Sequence, residues 1–259
     1  MPFIDLRGGT FHYRFDGPQT APVLVLSNSL GTDLGMWEPQ LAAFAERFRV
    51  LRYDSRGHGK SALTPGPYTI AQLGGDVVAL LDALGIERAN FCGLSKGGVV
   101  GMWLGVNAAA RFDRLVLCNT AAKIGTAELW NARIENVRKG GMAAIADAVV
   151  ERWFTSGFRA RAPDAVAQVR QLLLETPAEG YCACCAAVRD IDLRRQIAAI
   201  TLPTLVIAGT HDGATPAVDT RLIADTVPGA RYVELDASHL SNVEQAERFT
   251  QEVVNFLTA

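Results

Sequence analysis

The pentapeptide Gly93-Leu94-Ser95-Lys96-Gly97 joins an apolar run, Asn90 to Leu94, to a helical pattern from Gly97 to Asn107. A serine hydroxyl attacks a carbonyl well only when it stands clear of the backbone and beside a base. A sharp strand-to-helix turn puts it there but crowds the main chain on both sides. A glycine two residues before and after removes the Cβ atoms that would collide. The plainer alternative is an ordinary turn with Ser95 as a helix N-cap.

The flanking sequence supplies the alternation such a turn needs. Ala21 to Ser27 is almost continuously apolar, as in a strand buried on both faces, and Phe48 to Asp54 reads as another, closed by Ser55-Arg-Gly-His-Gly59. Ile70, Leu73, Val77, Leu80, Leu81 and Leu84 recur at helical spacing and stop at Gly85. Phe112 to Cys118 gives a further strand. From about residue 121 to 200 strand patterns vanish and helical stretches rich in Ala, Arg and Glu take over. Strands return at Thr204–Gly209 and Ala230–Leu235, and a final helix is expected from about Asn242 to Leu257. This is an α/β pattern, a mostly parallel sheet flanked by helices. Residues 1–120 and 201–259 form its core, and 121–200 are expected to be a helical cap inserted between two strands.

A serine nucleophile needs a base, and the base an orienting acid. In this architecture the chain order is Ser, then Asp or Glu, then His. Asp212 follows the strand Thr204–Gly209, and His239 follows the last strand, so both fall at carboxyl ends of strands, where open parallel sheets place their sites. Taken singly, Asp212 is an ordinary turn residue and His239 an ordinary loop residue; their order behind the serine turn favours the catalytic set Ser95, Asp212, His239. His12 is placed in an early edge strand, His58 in a glycine turn, and His211 is the only rival base. An oxyanion would be held by two backbone N–H groups, that of Lys96 and that of Leu30 in the loop Asn28-Ser-Leu-Gly31.

Charge decides little: 25 Lys and Arg stand against 27 Asp and Glu, a formal net charge of -2, without the basic stripe of a nucleic-acid binder. The first ten residues lack the pattern of a secretory signal, and the apolar runs are too short for a bilayer. A cytoplasmic protein without membrane or nucleic-acid partners is expected; nothing sets its oligomeric state. Cys182, Cys184 and Cys185 invite a metal, but lack a nearby His and paired Cys-x-x-Cys arms. They read instead as small apolar residues on a helix, with no metal bound.

With these residues in place, the chain resembles the α/β-hydrolase superfamily over essentially its whole length. The resemblance rests on Asp54-Ser-Arg-Gly-His-Gly-Lys-Ser61, the serine elbow, Gly209-Thr-His-Asp212 and Ser238-His239. It departs in the oxyanion loop, where most relatives carry His-Gly and this chain has Asn28-Ser29. That loop, with Met36-Trp37, Trp130-Asn-Ala-Arg133-Ile and Ser238-His-Leu-Ser-Asn-Val-Glu-Gln245, looks like the 3-oxoadipate enol-lactonases of aromatic degradation. The resemblance implies opening of a small anionic lactone through an acyl-enzyme on Ser95, with neither metal nor organic cofactor. An anionic substrate wants a cation in its pocket: Arg133 is one candidate, set against a solvated helix arginine. Lys96, beside the nucleophile, is the other, but it is expected to act through its backbone, its side chain turned to solvent. Trp130 and Trp153 line the pocket or simply fill the cap's core. A general carboxylesterase or a carbon–carbon bond hydrolase would share the triad, and a ligand sensor of this fold would differ in slow turnover.

Overall fold

The structure is a computed structural model and describes residues 2–259. Eight strands form one sheet: β1 (Phe3–Leu6), β2 (Gly9–Asp16), β3 (Val23–Ser27), β4 (Arg49–Tyr53), β5 (Ala89–Leu94), β6 (Phe112–Cys118), β7 (Thr204–Gly209) and β8 (Arg231–Leu235). Their spatial order is β1-β2-β4-β3-β5-β6-β7-β8. Pairing is antiparallel for β1 with β2 and β2 with β4, and parallel from β4 onward. Every residue of β5 and β7 is buried, which accounts for their largely apolar sequence. One expectation is corrected here. His12 is not on an edge strand, because β1 covers that side of β2, and the imidazole is buried with Nδ1 2.7 Å from Asp54 Oδ2.

Three helices join the first strands: α1 (Glu38–Ala45), α2 (Ile70–Ala83) and α3 (Lys96–Asn107). Thr69 caps α2 by accepting from the Gln72 N–H at 3.0 Å, and α2 buries Ile70, Leu73, Val77, Leu80 and Leu81, the residues whose spacing marks it as a helix. Between β6 and β7 run five helices and no strand: α4 (Ala127–Gly140), α5 (Ala143–Trp153), α6 (Ser156–Arg161), α7 (Pro163–Glu175) and α8 (Ala178–Asp190). Their apolar faces, including Trp130, Trp153, Leu173 and Tyr181, join the same buried cluster as the sheet. α9 (Ala217–Thr226) links β7 to β8. The expected single terminal helix is two, α10 (Ser241–Glu244) and α11 (Ala246–Leu257), because Gln245 leaves helical geometry at φ -124 and ψ 48. α11 buries Phe249, Val253, Phe256 and Leu257 along one stripe. No helix among the described residues is long and apolar enough to cross a membrane.

The order β4-β3-β5 locates the site. From β3 the chain passes to β4 on one side and later returns to β5 on the other, so the loops after β3 and β5 diverge. A crevice opens at their carboxyl ends, where parallel sheets of this kind bind ligands.

Candidate active site

Ser95 sits at the tip of the β5–α3 turn with φ 58 and ψ -116, a conformation that residues other than glycine rarely adopt. The surroundings fix it there. Its N–H donates to the Cys118 carbonyl at 2.9 Å, and its carbonyl accepts from Thr120 Oγ1 at 2.8 Å. A Cβ on Gly97 would lie 2.1 Å from the Ser27 carbonyl oxygen, and one on Gly93 would lie 2.2 Å from that of Gly97. The two glycines therefore exist for close approach of backbone to backbone, as the elbow demands. No side-chain capping bond is made by Ser95, so its hydroxyl is not spent on α3.

Asp212 and His239 come together although 27 residues separate them: Nδ1 of His239 lies 2.8 Å from Asp212 Oδ2, and both side chains are buried. With Nδ1 engaged, Nε2 of His239 is left for the cavity that His239 and Ser95 both line. Asp212 also accepts from the N–H groups of Ala214 (2.8 Å) and Thr215 (2.9 Å), from Thr215 Oγ1 (2.8 Å) and from Asn119 Nδ2 (3.1 Å). Burial alone would raise its pKa, but His239 and these donors outweigh it and hold the carboxyl below its ordinary value. The rival His211 is out of reach, exposed and bonded through Nε2 to Asp236 at 2.8 Å.

The loop after β3 faces Ser95 across the cavity. Asn28, the departure from His-Gly, ties it down: its Nδ2 donates to the Tyr53 carbonyl at 2.8 Å and its Oδ1 accepts from Trp37 Nε1 at 2.9 Å. Around Leu30 the amides are engaged, Ser29 N–H on Met36 Sδ and Gly31 N–H on His58 Nε2 at 3.0 Å. Leu30 lines the cavity beside Ser95. Lys96 opens α3, so its N–H has no intrahelical acceptor.

One expectation about Lys96 is overturned. Its side chain does not reach solvent: the residue is 1% exposed, and Nζ has no hydrogen-bond partner in the protein. Cys184 and Cys185 of α8 are among the groups that act on its charge. Burial pulls the lysine pKa below its ordinary value.

Arg133 lines the cavity from α4, its guanidinium carbon 4.9 Å from the centre of the Trp130 ring. Trp130 is itself pinned by Nε1 donating to the Ile124 carbonyl at 2.6 Å. Trp130 and Trp153 serve both expectations at once, since each lines the cavity and is buried in the core. Arg152 and Tyr181, which sequence patterns do not single out, line it as well. The Arg152 guanidinium is held below its usual pKa by burial first and then by the Arg133 charge. No acidic side chain lines this cavity among the described residues. Asn119, also missed, holds an αL-like φ of 44 at the end of β6, a place where a polar residue is itself a signal. The three cysteines of α8 are buried, and no group of three candidate ligands able to hold a metal occurs among the described residues.

A model of the α/β-hydrolase fold matches residues 22–246. The chain belongs to the α/β-hydrolase family. This hydrolase is 44% identical over 242 residues to 3-oxoadipate enol-lactonase 2 of Acinetobacter baylyi, covering 93% of this chain and 91% of that one. It is 33% identical to the putative carbamate hydrolase RutD of Variovorax paradoxus, covering 95% of each. Among solved structures, the enol-lactonase of Burkholderia xenovorans LB400 superposes with a TM-score of 0.98 at 52% identity, covering 100% of both chains.

Proposed function

We propose that this hydrolase opens 3-oxoadipate enol-lactone to 3-oxoadipate through an acyl-enzyme on Ser95. The observation that carries the proposal is a cavity that joins Ser95 and His239 to two arginines, Arg133 and Arg152, with no acidic side chain in its wall. Such a cavity suits a small ester bearing a carboxylate; the identity to named enol-lactonases supports the choice of lactone.

Ser95 Oγ attacks the ring carbonyl while His239 Nε2 takes its proton and Asp212 steadies the imidazolium. The oxyanion accepts from the Leu30 and Lys96 N–H groups. As it collapses, the bond to the ring oxygen breaks and the enol leaves with the proton from His239, remaining tethered as part of the acyl chain. Arg133 and Arg152 hold the side-chain carboxylate close to that developing enolate. His239 then takes a proton from water, whose oxygen attacks the ester carbon. Ser95 leaves as the alcohol, and the released enol, now carrying two carboxylates, tautomerises in water to the ketone of 3-oxoadipate. Helices α4–α8 act as the cap that supplies the cations and excludes water.

The test is steady-state loss of lactone ultraviolet absorbance with wild type, Ser95→Ala and Arg133→Ala. Fast turnover lost in Ser95→Ala supports the nucleophile and the substrate. Arg133→Ala is expected to lose roughly tenfold or more in kcat/KM on the lactone and far less on a neutral aryl ester. Equal losses on both would remove Arg133 from the carboxylate site. Absent lactone turnover beside brisk Ser95-dependent aryl-ester cleavage would discard the lactone.

A further inference from the structure

A buried amine without a partner is an expensive feature that folding alone does not require, since a methionine would fill the same space. Lys96 is such an amine, one residue from the nucleophile. The acidic group near Nζ, Asp54, makes no hydrogen bond to it. From α8 it faces Cys184 and Cys185, whose thiols burial pushes up, away from the thiolate. From the turn after β4 it faces His58 and Asp54. His58 is buried with its pKa driven down, first by desolvation and then by the Lys96 charge. Asp54 is already engaged by His12 (2.7 Å) and by the N–H groups of Leu34 and Lys60 (2.9 Å each). Lys96 lines the same cavity as Ser95, Arg133 and Arg152.

We propose that Lys96 is a specificity-determining residue, a second positive pole at the Ser95 end of the cavity, so that ligands carrying two carboxylates bind in preference to those carrying one. This rests on the assignment of Arg133 and Arg152 to the first carboxylate. Deacylation creates the second carboxylate at Ser95, next to the Lys96 backbone. Burial disfavours the charged form of the amine in the empty site, and an arriving carboxylate favours it. The enzyme is therefore inhibited by its own class of product, a short aliphatic dicarboxylate.

The experiment measures competitive inhibition of 4-nitrophenyl acetate hydrolysis by succinate, glutarate, adipate and hexanoate at pH 7. It uses wild type, Lys96→Met, Lys96→Arg and Arg133→Ala. In wild type the tightest diacid is expected to bind about tenfold or more tighter than hexanoate. That preference should close in Lys96→Met. It should narrow in wild type as the pH rises from 7 to 10 and Nζ loses its proton, and persist to pH 10 in Lys96→Arg, whose charge does not titrate there. A preference absent from wild type, or unchanged in Lys96→Met, overturns the proposal. If Arg133→Ala abolishes the preference and Lys96→Met does not, the arginine end stands and the lysine end fails. The reverse result keeps Lys96 and removes Arg133.

Discussion

At the scale of single residues, the site depends on side chains held in states they would not choose in water. Ser95 keeps a positive φ because the bonds from its N–H and carbonyl leave it no alternative. His58 is a second case. Its Nε2 accepts from Gly31 at 3.0 Å, which requires the neutral ring with its proton on Nδ1, facing the Arg56 carbonyl at 3.3 Å. Protonating Nε2 would put two donors face to face and loosen the loop that carries Leu30. His58 has its folded-state pKa pushed below 6.5 by burial. Below that pH the unfolded chain takes a proton the folded chain refuses, so stability falls with acidification at about 1 kcal/mol per pH unit from this group. His58→Gln keeps an acceptor and cannot titrate. Thermal melts at pH 5 and pH 7 should therefore differ less for His58→Gln than for wild type. An unchanged difference would mean that His58 is not the group responsible.

At the scale of elements, the carboxyl ends of neighbouring strands each contribute one part, and what joins them is a short run after β6. Asn119 reaches sideways: Nδ2 donates to Asp212 at 3.1 Å and to the Ser238 carbonyl at 3.1 Å, while Oδ1 accepts from Ser241 Oγ at 2.5 Å. One amide thus binds the acid's loop to the loop of the base. Hydrogen bonds to a charged group are worth about 1.5–3 kcal/mol. Asn119→Ala is expected to lower kcat roughly 10- to 100-fold with KM little changed, since no substrate contact is removed. A steady-state analysis giving a KM effect instead would place Asn119 against the substrate.

At the scale of the whole molecule, the helical insertion and the sheet meet at the His239 loop. The buried Glu244 carboxylate accepts from the Ser238 N–H at 3.0 Å, from the Thr155 N–H at 3.2 Å and from the Thr155 hydroxyl in a very short bond. Beside it, Ser238 Oγ donates to the Arg152 carbonyl at 2.7 Å and the Leu240 N–H to the Trp153 carbonyl at 3.1 Å. The end of α5, which carries Arg152 and Trp153, is thereby fixed to the loop of the base. Glu244→Ala leaves those donors buried and unpaired, and is expected to destabilise the fold by about 2–4 kcal/mol. Urea unfolding checks the magnitude. A loss below about 0.5 kcal/mol would show that the insertion is held by apolar packing alone.

Local physics made much of this legible from sequence. Doubly buried strands must be continuously apolar, an amphipathic helix must repeat its apolar residues, and a serine elbow must have its glycines. These rules reach only a few residues along the chain, so they gave β6 and β7 to the residue and put Ser95, Asp212 and His239 in order. They could not tell that β2 is internal, that Gln245 breaks the last helix, or which of the insertion's many arginines faces the serine. Arg152 and Arg133 lie on different helices, and only the packing of α4 and α5 brings them to one cavity. Lys96 makes the same point. Its place after the serine is a matter of sequence, but whether its amine meets water is decided by α8, which arrives more than eighty residues later and covers it.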